Sequence, residues 1–341
     1  MNKKVRFGII GCGGISYYHA EAIICADDAE MTCVYDTYTP NIEKFVEKYS
    51  SVRVCASVDE MVNSSDVDAV VICTPSGLHT EQAITAMQKG KHVVVEKPMS
   101  LTLSDADRLI ITAEETKTKV CVISQLRYSP AVQEMKRAID IGALGRIVAG
   151  SLSMKYFRTH EYYEAGGWRG TWEMDGGGAL MNQGIHGIDM FRYLMGPVDS
   201  LYGFARTQTR RIEVEDSGVA LLEFKNGALG TIEGYTTCYP GYARRIEICG
   251  DQGSMVLEED SIIKWDLPIE ARVPVGIATE SEGASIPMAI SYEGHIRQIA
   301  NFVDAILRDA PLMADAASGR PPLEIILGIY ESSKTGQRIF F

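Results

Sequence analysis

The chain has 341 residues, 46% hydrophobic and 23% charged, a size and composition that fit two globular domains with sizeable cores. Lys plus Arg total 33 and Asp plus Glu 45, and the resulting net charge of −12 disfavours nucleic acid or an anionic membrane as the main partner. No apolar run approaches the ~20 residues of a membrane helix, and the 8 cysteines, scattered without a Cys-x-x-Cys pair, read as reduced residues of a cytoplasmic protein, with no disulfide framework and no metal site.

From the N-terminus, Val5–Ile10 reads as a strand, Ser16–Ala26 as a helix and Met31–Tyr35 as a second strand. A helix at Asn41–Tyr49, the nearly all-apolar strand Ala69–Cys73 and a helix at Thr80–Lys89 follow. Then come the strand His92–Val95, the helix Leu103–Thr116 and the strand Val120–Ser124. Apolar strand cores without polar alternation, spaced by helices, indicate a parallel sheet covered on both faces. Residues 1–124 are therefore expected to form a doubly wound, Rossmann-type α/β domain.

After Ser124 the texture changes, and residues 125–341 are expected to form an α+β domain. A helix near Pro130–Ile141 leads into β-rich sequence at Arg146–Arg158, Leu201–Thr209, Gly218–Phe224, Ala228–Tyr235, Arg245–Cys249 and Ser254–Leu257. Asn226-Gly227 predicts a type I′ hairpin, so the strands should pair mostly antiparallel. Ala179–Met195 reads as one helix and Tyr292–Arg308 as another, with Pro321-Pro322 ahead of a final helix through Tyr330. Pro268–Ala289 has no clear period and is expected to be a loop over a site.

The first strand runs into Gly11-Cys12-Gly13-Gly14-Ile15-Ser16, with Gly11 and Gly13 at the first two positions of a G-x-G-x-x-G/A turn and Ser16 at the third. Gly11 permits the tight turn, Gly13 lets a pyrophosphate approach, and Gly14 and Ile15 present backbone N–H groups at the helix start. Such a turn also serves flavins and S-adenosylmethionine, or is purely structural. Asp36 ends the second strand, 25 positions after Gly11, where a carboxylate accepts from the adenosine ribose hydroxyls and repels a 2′-phosphate. Thr37-Tyr38-Thr39-Pro40 offers no cation to hold such a phosphate, so NAD is preferred over NADP.

Two further strands end in Thr74-Pro75…His79 and in Glu96-Lys97-Pro98, at the carboxyl edge where doubly wound sheets bind ligands. Gln125, Arg127 and Tyr128 leave the last strand at the domain junction and are expected to line a cleft. Trp168-Arg169 lies in a Gly-flanked loop, where the ring suits stacking on a nicotinamide and the guanidinium suits an anion. Asn182, His186 and Asp189 fall at i, i+4 and i+7, a polar stripe on the expected Ala179–Met195 helix. Tyr235 and Tyr292 are candidates for substrate hydroxyl contacts.

Together, Gly11-Cys12-Gly13-Gly14-Ile15, Thr74-Pro75 with His79, Glu96-Lys97-Pro98 and Gly176-Gly177-Gly178…Asn182-Gln183-Gly184-Ile185-His186-Gly187-Ile188-Asp189 resemble the Gfo/Idh/MocA oxidoreductases over nearly the whole chain. The resemblance implies a large open C-terminal sheet, used for homodimer or homotetramer contacts. It also implies NAD(P)-linked oxidation or reduction of sugars, inositols and related polyhydroxylated small molecules. It places a catalytic histidine at His186 and cofactor contacts at Thr74, Pro75, His79, Glu96, Gln125, Trp168 and Arg169. Lys97 and His186 are then expected to converge on one carbon–oxygen bond, His186 moving the hydroxyl proton and Lys97 stabilising the forming alkoxide. Many sugar and cyclitol dehydrogenases of this type carry Asp where this chain has Asn182, which can bind substrate but cannot exchange a proton. An NAD-dependent glycoside hydrolase that retains its cofactor would keep the same residues. A non-enzymatic NAD-binding regulator is disfavoured by the presence of both Lys97 and His186, and a methyltransferase leaves both motifs unexplained.

Overall fold

The computed structural model describes residues 4–165, 167–268 and 292–341. All but the first residue of the loop expected at Pro268–Ala289 therefore lies outside the described residues. The chain divides into two compact units, one of Met1–Gln125 with Ser291–Arg320 and one of Leu126–Ile290 with Pro321–Phe341.

In the first unit β1 (Val5–Ile10), α1 (Ser16–Cys25), β2 (Ala29–Tyr35), α2 (Thr39–Lys48), β3 (Arg53–Val54) and α3 (Val58–Asn63) alternate. β4 (Ala69–Ile72), α4 (His79–Gln88), β5 (His92–Val95), α5 (Leu103–Thr116) and β6 (Val120–Val122) continue the alternation. The six strands form one parallel sheet in the order β3-β2-β1-β4-β5-β6, the dinucleotide-binding arrangement. Every residue of β4 and the three valines of β5 are buried, each Val or Ile side chain contributing about 1.5–3 kcal/mol through burial. The sequence reading missed β3 and α3. β3 has only two residues, but α3 carries a legible signal: Ser57 Oγ accepts from Glu60 N at 3.0 Å, the Ser-x-x-Glu spacing of a capping box.

The second unit begins with α6 (Pro130–Asp140), β7 (Ile147–Lys155), α7 (His160–Glu164), a π-helical turn at Ala179–Gln183 and α8 (Ile185–Met195). Then follow β8 (Val198–Arg206), β9 (Ser217–Phe224), β10 (Leu229–Tyr235), β11 (Arg245–Gly250), β12 (Ser254–Glu258) and β13 (Ser261–Asp266). With α9 (Tyr292–Arg308), α10 (Ala316–Thr335) and β14 (Ile339–Phe340) the chain ends. The sheet order is β13-β12-β11-β7-β10-β9-β8-β14, antiparallel except where β10 pairs with β7. Among the described residues no helix is long and apolar enough to cross a membrane.

Four local readings are corrected. The division at residue 124 left Tyr292–Arg308 with the second half, whereas α9 belongs to the first unit. Its Phe302 is fully buried with its ring 6.2 Å from that of Phe7 on β1. The Asn226-Gly227 hairpin forms, but only Gly227 takes positive φ (+85°), and Gly227 N donates to Phe224 O at 2.8 Å. This is a type I turn closed by a left-handed glycine, not a type I′ turn. The last helix starts at Ala316, five residues ahead of Pro321-Pro322, so the prolines interrupt its hydrogen bonds instead of opening it. Finally, Ala179–Met195 is not one helix, because a π-turn replaces its first part.

Candidate active site

The Gly-rich turn of the first unit has the shape its residues imply. Gly11 sits at φ +94°, and a Cβ there would lie 2.9 Å from the Cys73 carbonyl, so only glycine fits the passage between β1 and β4. A Cβ on Gly13 or Gly14 would meet nothing within 4 Å, so open space lies where a pyrophosphate approaches. No side chain caps α1, so its N-terminal end has the dipole and the open approach that suit an anion. Ser16 is fully buried and closes the turn by donating to Gly13 O at 2.6 Å. Asp36 accepts from Cys12 N at 2.7 Å and Tyr38 N at 2.8 Å, so the carboxylate ties the end of β2 to the turn. Oδ2 also accepts from Asn41 Nδ2 at 3.2 Å, so Oδ1, with Tyr38 N as its one partner among the described residues, is the oxygen that keeps a lone pair for a ribose hydroxyl. These residues fit NAD.

Two neighbouring motifs do a different job from the one expected. His79 is buried, with Nδ1 2.8 Å from Pro98 O and Nε2 2.9 Å from Thr74 O, and burial holds its pKa below the ordinary value. Both neighbours are carbonyl oxygens and a neutral ring carries one N–H, so His79 donates to one of them. With both nitrogens set against protein backbone, the ring sits between the Thr74-Pro75 turn and the Glu96-Lys97-Pro98 segment. Glu96 is also buried: Oε1 meets His19 Nε2 at 2.9 Å and Oε2 accepts from Lys97 N at 3.1 Å. Burial opposes its charge, but the His19 hydrogen bond and the His19 and Lys97 charges hold the carboxyl well below the usual range. His295 on α9 lies edge-on to His19, ring centres 5.4 Å apart, and is pushed down to about 4 by burial. Glu96 therefore faces inward and braces the backbone of Lys97, whose side chain is half-buried. Tyr292 stacks on Tyr18 of α1 at 4.5 Å. Gln125 is buried at the end of this unit.

In the second unit the glycine run is explained by what lies against it. A Cβ on Gly177 would lie 2.2 Å from the Tyr330 hydroxyl, and one on Gly178 would lie 2.0 Å from the Glu215 carbonyl. The chain then makes the π-turn, with Gln183 N donating to Gly178 O at 3.1 Å, before α8 starts. Such turns recur at functional sites. Along Met181–Asp189 only Asn182, Gln183 and His186 reach the surface. The expected i, i+4, i+7 stripe is broken: Asp189 is buried and accepts from Arg127 Nε at 2.8 Å. That pair also removes Arg127, only 3% exposed, from the substrate contacts, and Tyr128 is buried next to it in sequence.

Asn182 has a partner that sequence reasoning missed. Its Nδ2 donates to Asp175 Oδ1 at 2.5 Å, while Asp175 Oδ2 accepts from Gly170 N at 2.8 Å. The carboxylate absent from position 182 thus stands one hydrogen bond away. Gln183 donates to the Tyr162 hydroxyl at 2.8 Å and accepts from Arg158 Nε at 3.0 Å. Arg169 lies 4.7 Å from the Tyr162 ring centre and 5.5 Å from that of Trp168. So Trp168, Arg169, Tyr162, Gln183, Asn182 and Asp175 form one polar neighbourhood. A sequence signal for Asp175 existed, as it directly precedes Gly176–Gly178, but nothing local pairs it with Asn182. Tyr235 is elsewhere. Gly218 and Gly234 turn the sheet's inner face toward Leu180 of the π-turn, and Tyr235, one residue on, projects from the outer face beside Phe204 and Arg206.

Comparison with known proteins agrees with this architecture. Residues 5–124 match the profile described as the oxidoreductase family, NAD-binding Rossmann fold, and residues 132–256 match the GFO/IDH/MocA C-terminal domain. The structure is similar to that of the WlbA dehydrogenase from Bordetella pertussis, solved with NADH and UDP-GlcNAcA: TM-score 0.88, 34% identity, 99% of each chain covered. Myo-inositol 2-dehydrogenase of Thermotoga maritima is 29% identical over 73% of this chain and 74% of its own length. The NAD(+)-dependent scyllo-inositol 2-dehydrogenase of Bacillus subtilis is 27% identical over 75% of each. With the Rossmann sheet, the fitted cofactor turn and the Glu-Lys-Pro and His186 segments in place, the chain belongs to the Gfo/Idh/MocA family of NAD-binding oxidoreductases.

Proposed function

We propose that this protein is an NAD-linked dehydrogenase that oxidises a ring CH–OH of an anionic, nucleotide-linked sugar acid. Bound NAD supplies the hydride acceptor. Gly11, Gly13, Gly14 and Ile15 would hold its pyrophosphate, and Asp36 its adenosine ribose. His186, at the surface of α8, takes the hydroxyl proton, and the Lys97 ammonium stabilises the alkoxide as it forms. Asn182, oriented by Asp175, binds a neighbouring hydroxyl, and Trp168 and Arg169 serve the cofactor side. In the reverse direction the same two groups polarise and protonate a carbonyl.

The observation that carries the substrate class is the full-length likeness to a dehydrogenase solved with NADH and UDP-GlcNAcA, which exceeds in both identity and coverage that to the inositol dehydrogenases named above. Arg158 and Arg169 support it, since neither makes an ion pair with a carboxylate among the described residues, although the chain carries −12 overall. The test is NADH formation at 340 nm with NAD and with NADP against UDP-GlcNAcA, myo- and scyllo-inositol, aldoses and free sugar acids. Turnover of UDP-GlcNAcA with NAD, with NADP far weaker, is expected. Preference for an inositol would overturn the substrate class and leave the dehydrogenase reading standing.

We further infer a homodimer or homotetramer built on the outer face of the β7–β10 sheet region. Phe204, Leu221 and Leu229 stand exposed on that face, on three neighbouring strands, and their burial in an assembly would remove this apolar surface from water. Light scattering would show the assembly, and Leu221→Asp should shift it toward monomer. The buried free cysteines Cys12, Cys33, Cys55, Cys73 and Cys121 support a reducing, cytoplasmic setting.

A further inference from the structure

We infer that Glu215 is a positioning residue for this chemistry, its buried carboxylate holding the π-turn at Ala179–Gln183 and, through it, aiming Asn182 and His186. The carboxylate accepts from Gly178 N at 2.9 Å through Oε2 and from Leu180 N at 2.7 Å through Oε1. Its own backbone carbonyl accepts from Ala179 N at 3.0 Å. Three successive N–H groups that open the turn are thus satisfied by one residue, 35 to 37 positions away in sequence. A π-turn leaves its first N–H groups without partners within the turn, and these are the ones a buried acceptor must supply.

The surroundings make Glu215 costly unless it serves this purpose. It is 3% exposed, among the described residues no cation pairs with it, and the titratable groups near it there are Tyr330 of α10, whose hydroxyl is buried, and, beyond Tyr330, Asp175. Burial pushes its carboxyl up to about 7 despite the two backbone donors. A glutamine of the same length would carry no charge into this interior, and an apolar residue would fill it more cheaply. What only the carboxylate provides is two acceptor oxygens in fixed directions. The glycines answer to it as well, because at Gly178 any Cβ would strike the Glu215 carbonyl. Asn182 N in turn donates to Gly178 O at 3.1 Å, so the chain from Glu215 to the polar side chains at the surface is unbroken.

The inference rests on the reading of Asn182 and His186 given above, and its test separates the two. Glu215→Gln, with Glu215→Ala as a second variant, is compared with the unaltered protein by hydrogen exchange, thermal unfolding, NADH titration and turnover of UDP-GlcNAcA. Glu215→Gln should speed amide exchange within residues 176–184 by about tenfold, leaving the parallel sheet unchanged. NADH affinity should not change, and at pH 8 the melting temperature should not fall, because a buried charge has been removed. In turnover kcat should drop by about tenfold or more, and KM should rise with it as Asn182 loses its aim on the substrate hydroxyl. Exchange at 176–184 equal to that of the unaltered protein, or loss of protection spread evenly over the second unit, would overturn the positioning role whether or not any substrate is turned over. Should exchange respond as expected while kcat does not, Glu215 still holds the turn but the turn does not aim the chemistry, and the inference fails at that link.

Discussion

The residues that would do the chemistry are few, and their neighbours decide what each one can do. Replacing Lys97 by Met or His186 by Ala should each lower kcat by about a hundredfold or more, read at 340 nm with NADH binding intact. A variant at Lys97 with full activity would end the proposed mechanism. The Asn182–Asp175 pair makes a sharper prediction. Asn182→Asp, which restores the residue common in related dehydrogenases, would set two carboxylates about 2.5 Å apart, so one must hold a proton at neutral pH. Activity should fall in that variant and recover in the exchanged pair Asp175→Asn with Asn182→Asp; no recovery would mean that Asp175 has no part in orienting position 182. The turn made by Gly11, Gly13, Gly14 and Asp36 was legible in the sequence because it is built within one strand–turn–helix and the end of the next strand. Glu96, His79 and Arg127 were assigned to ligands only because their protein partners, His19, Pro98 and Asp189, are 77, 19 and 62 positions away.

At the scale of an element, glycines that look alike in sequence should behave in opposite ways. Gly13→Ala places a methyl where nothing lies within 4 Å, so folding should persist while NADH affinity drops by about tenfold or more, measured by fluorescence titration. Gly178→Ala drives its methyl to 2.0 Å from a backbone oxygen, and neither side can yield without moving the π-turn. Here the second unit should lose about 2–4 kcal/mol of stability, with NADH affinity retained. If the two variants showed the same phenotype, the assignment of one glycine run to the cofactor and the other to packing would be wrong. Hydrophobic period could not foretell the π-turn. Met181, Ile185 and Ile188 keep the apolar spacing of a continuous helix, and the extra residue per turn is imposed by Glu215 and Gly178 from outside the segment.

For the molecule as a whole, two buried groups give the units opposite responses to acid. His295 in the first unit is pushed down to about 4 from an ordinary 6.5, so the unfolded chain binds more protons across that window. Stability of the first unit is thus fully present above pH 6.5 and is lost as pH falls toward 4, by about 3 kcal/mol. Glu215 in the second unit is pushed up to about 7, so there the folded state binds the extra proton. Its contribution is present below the unfolded value near 4.5 and is lost as pH rises through 7, again by about 3 kcal/mol. Calorimetry at pH 5 and pH 8 should therefore show the transition of the first unit moving down with acid and that of the second moving up. His295→Leu should abolish the first shift and Glu215→Gln the second. Parallel movement of both transitions would refute these charge assignments. The sequence by itself determined the alternation of apolar strands and helices, hence the Rossmann sheet, the glycine turn at β1, the antiparallel second sheet and the segments bearing Lys97 and His186, because all of these follow from neighbours within a turn or a strand. Only the tertiary structure decided that α9 joins the first unit, that Glu96, His79 and Arg127 serve protein partners, and that Glu215 and Asp175 stand behind the π-turn. Those outcomes depend on which buried polar groups meet across tens to hundreds of residues, and burial without a partner costs too much for any of them to be left to local preference.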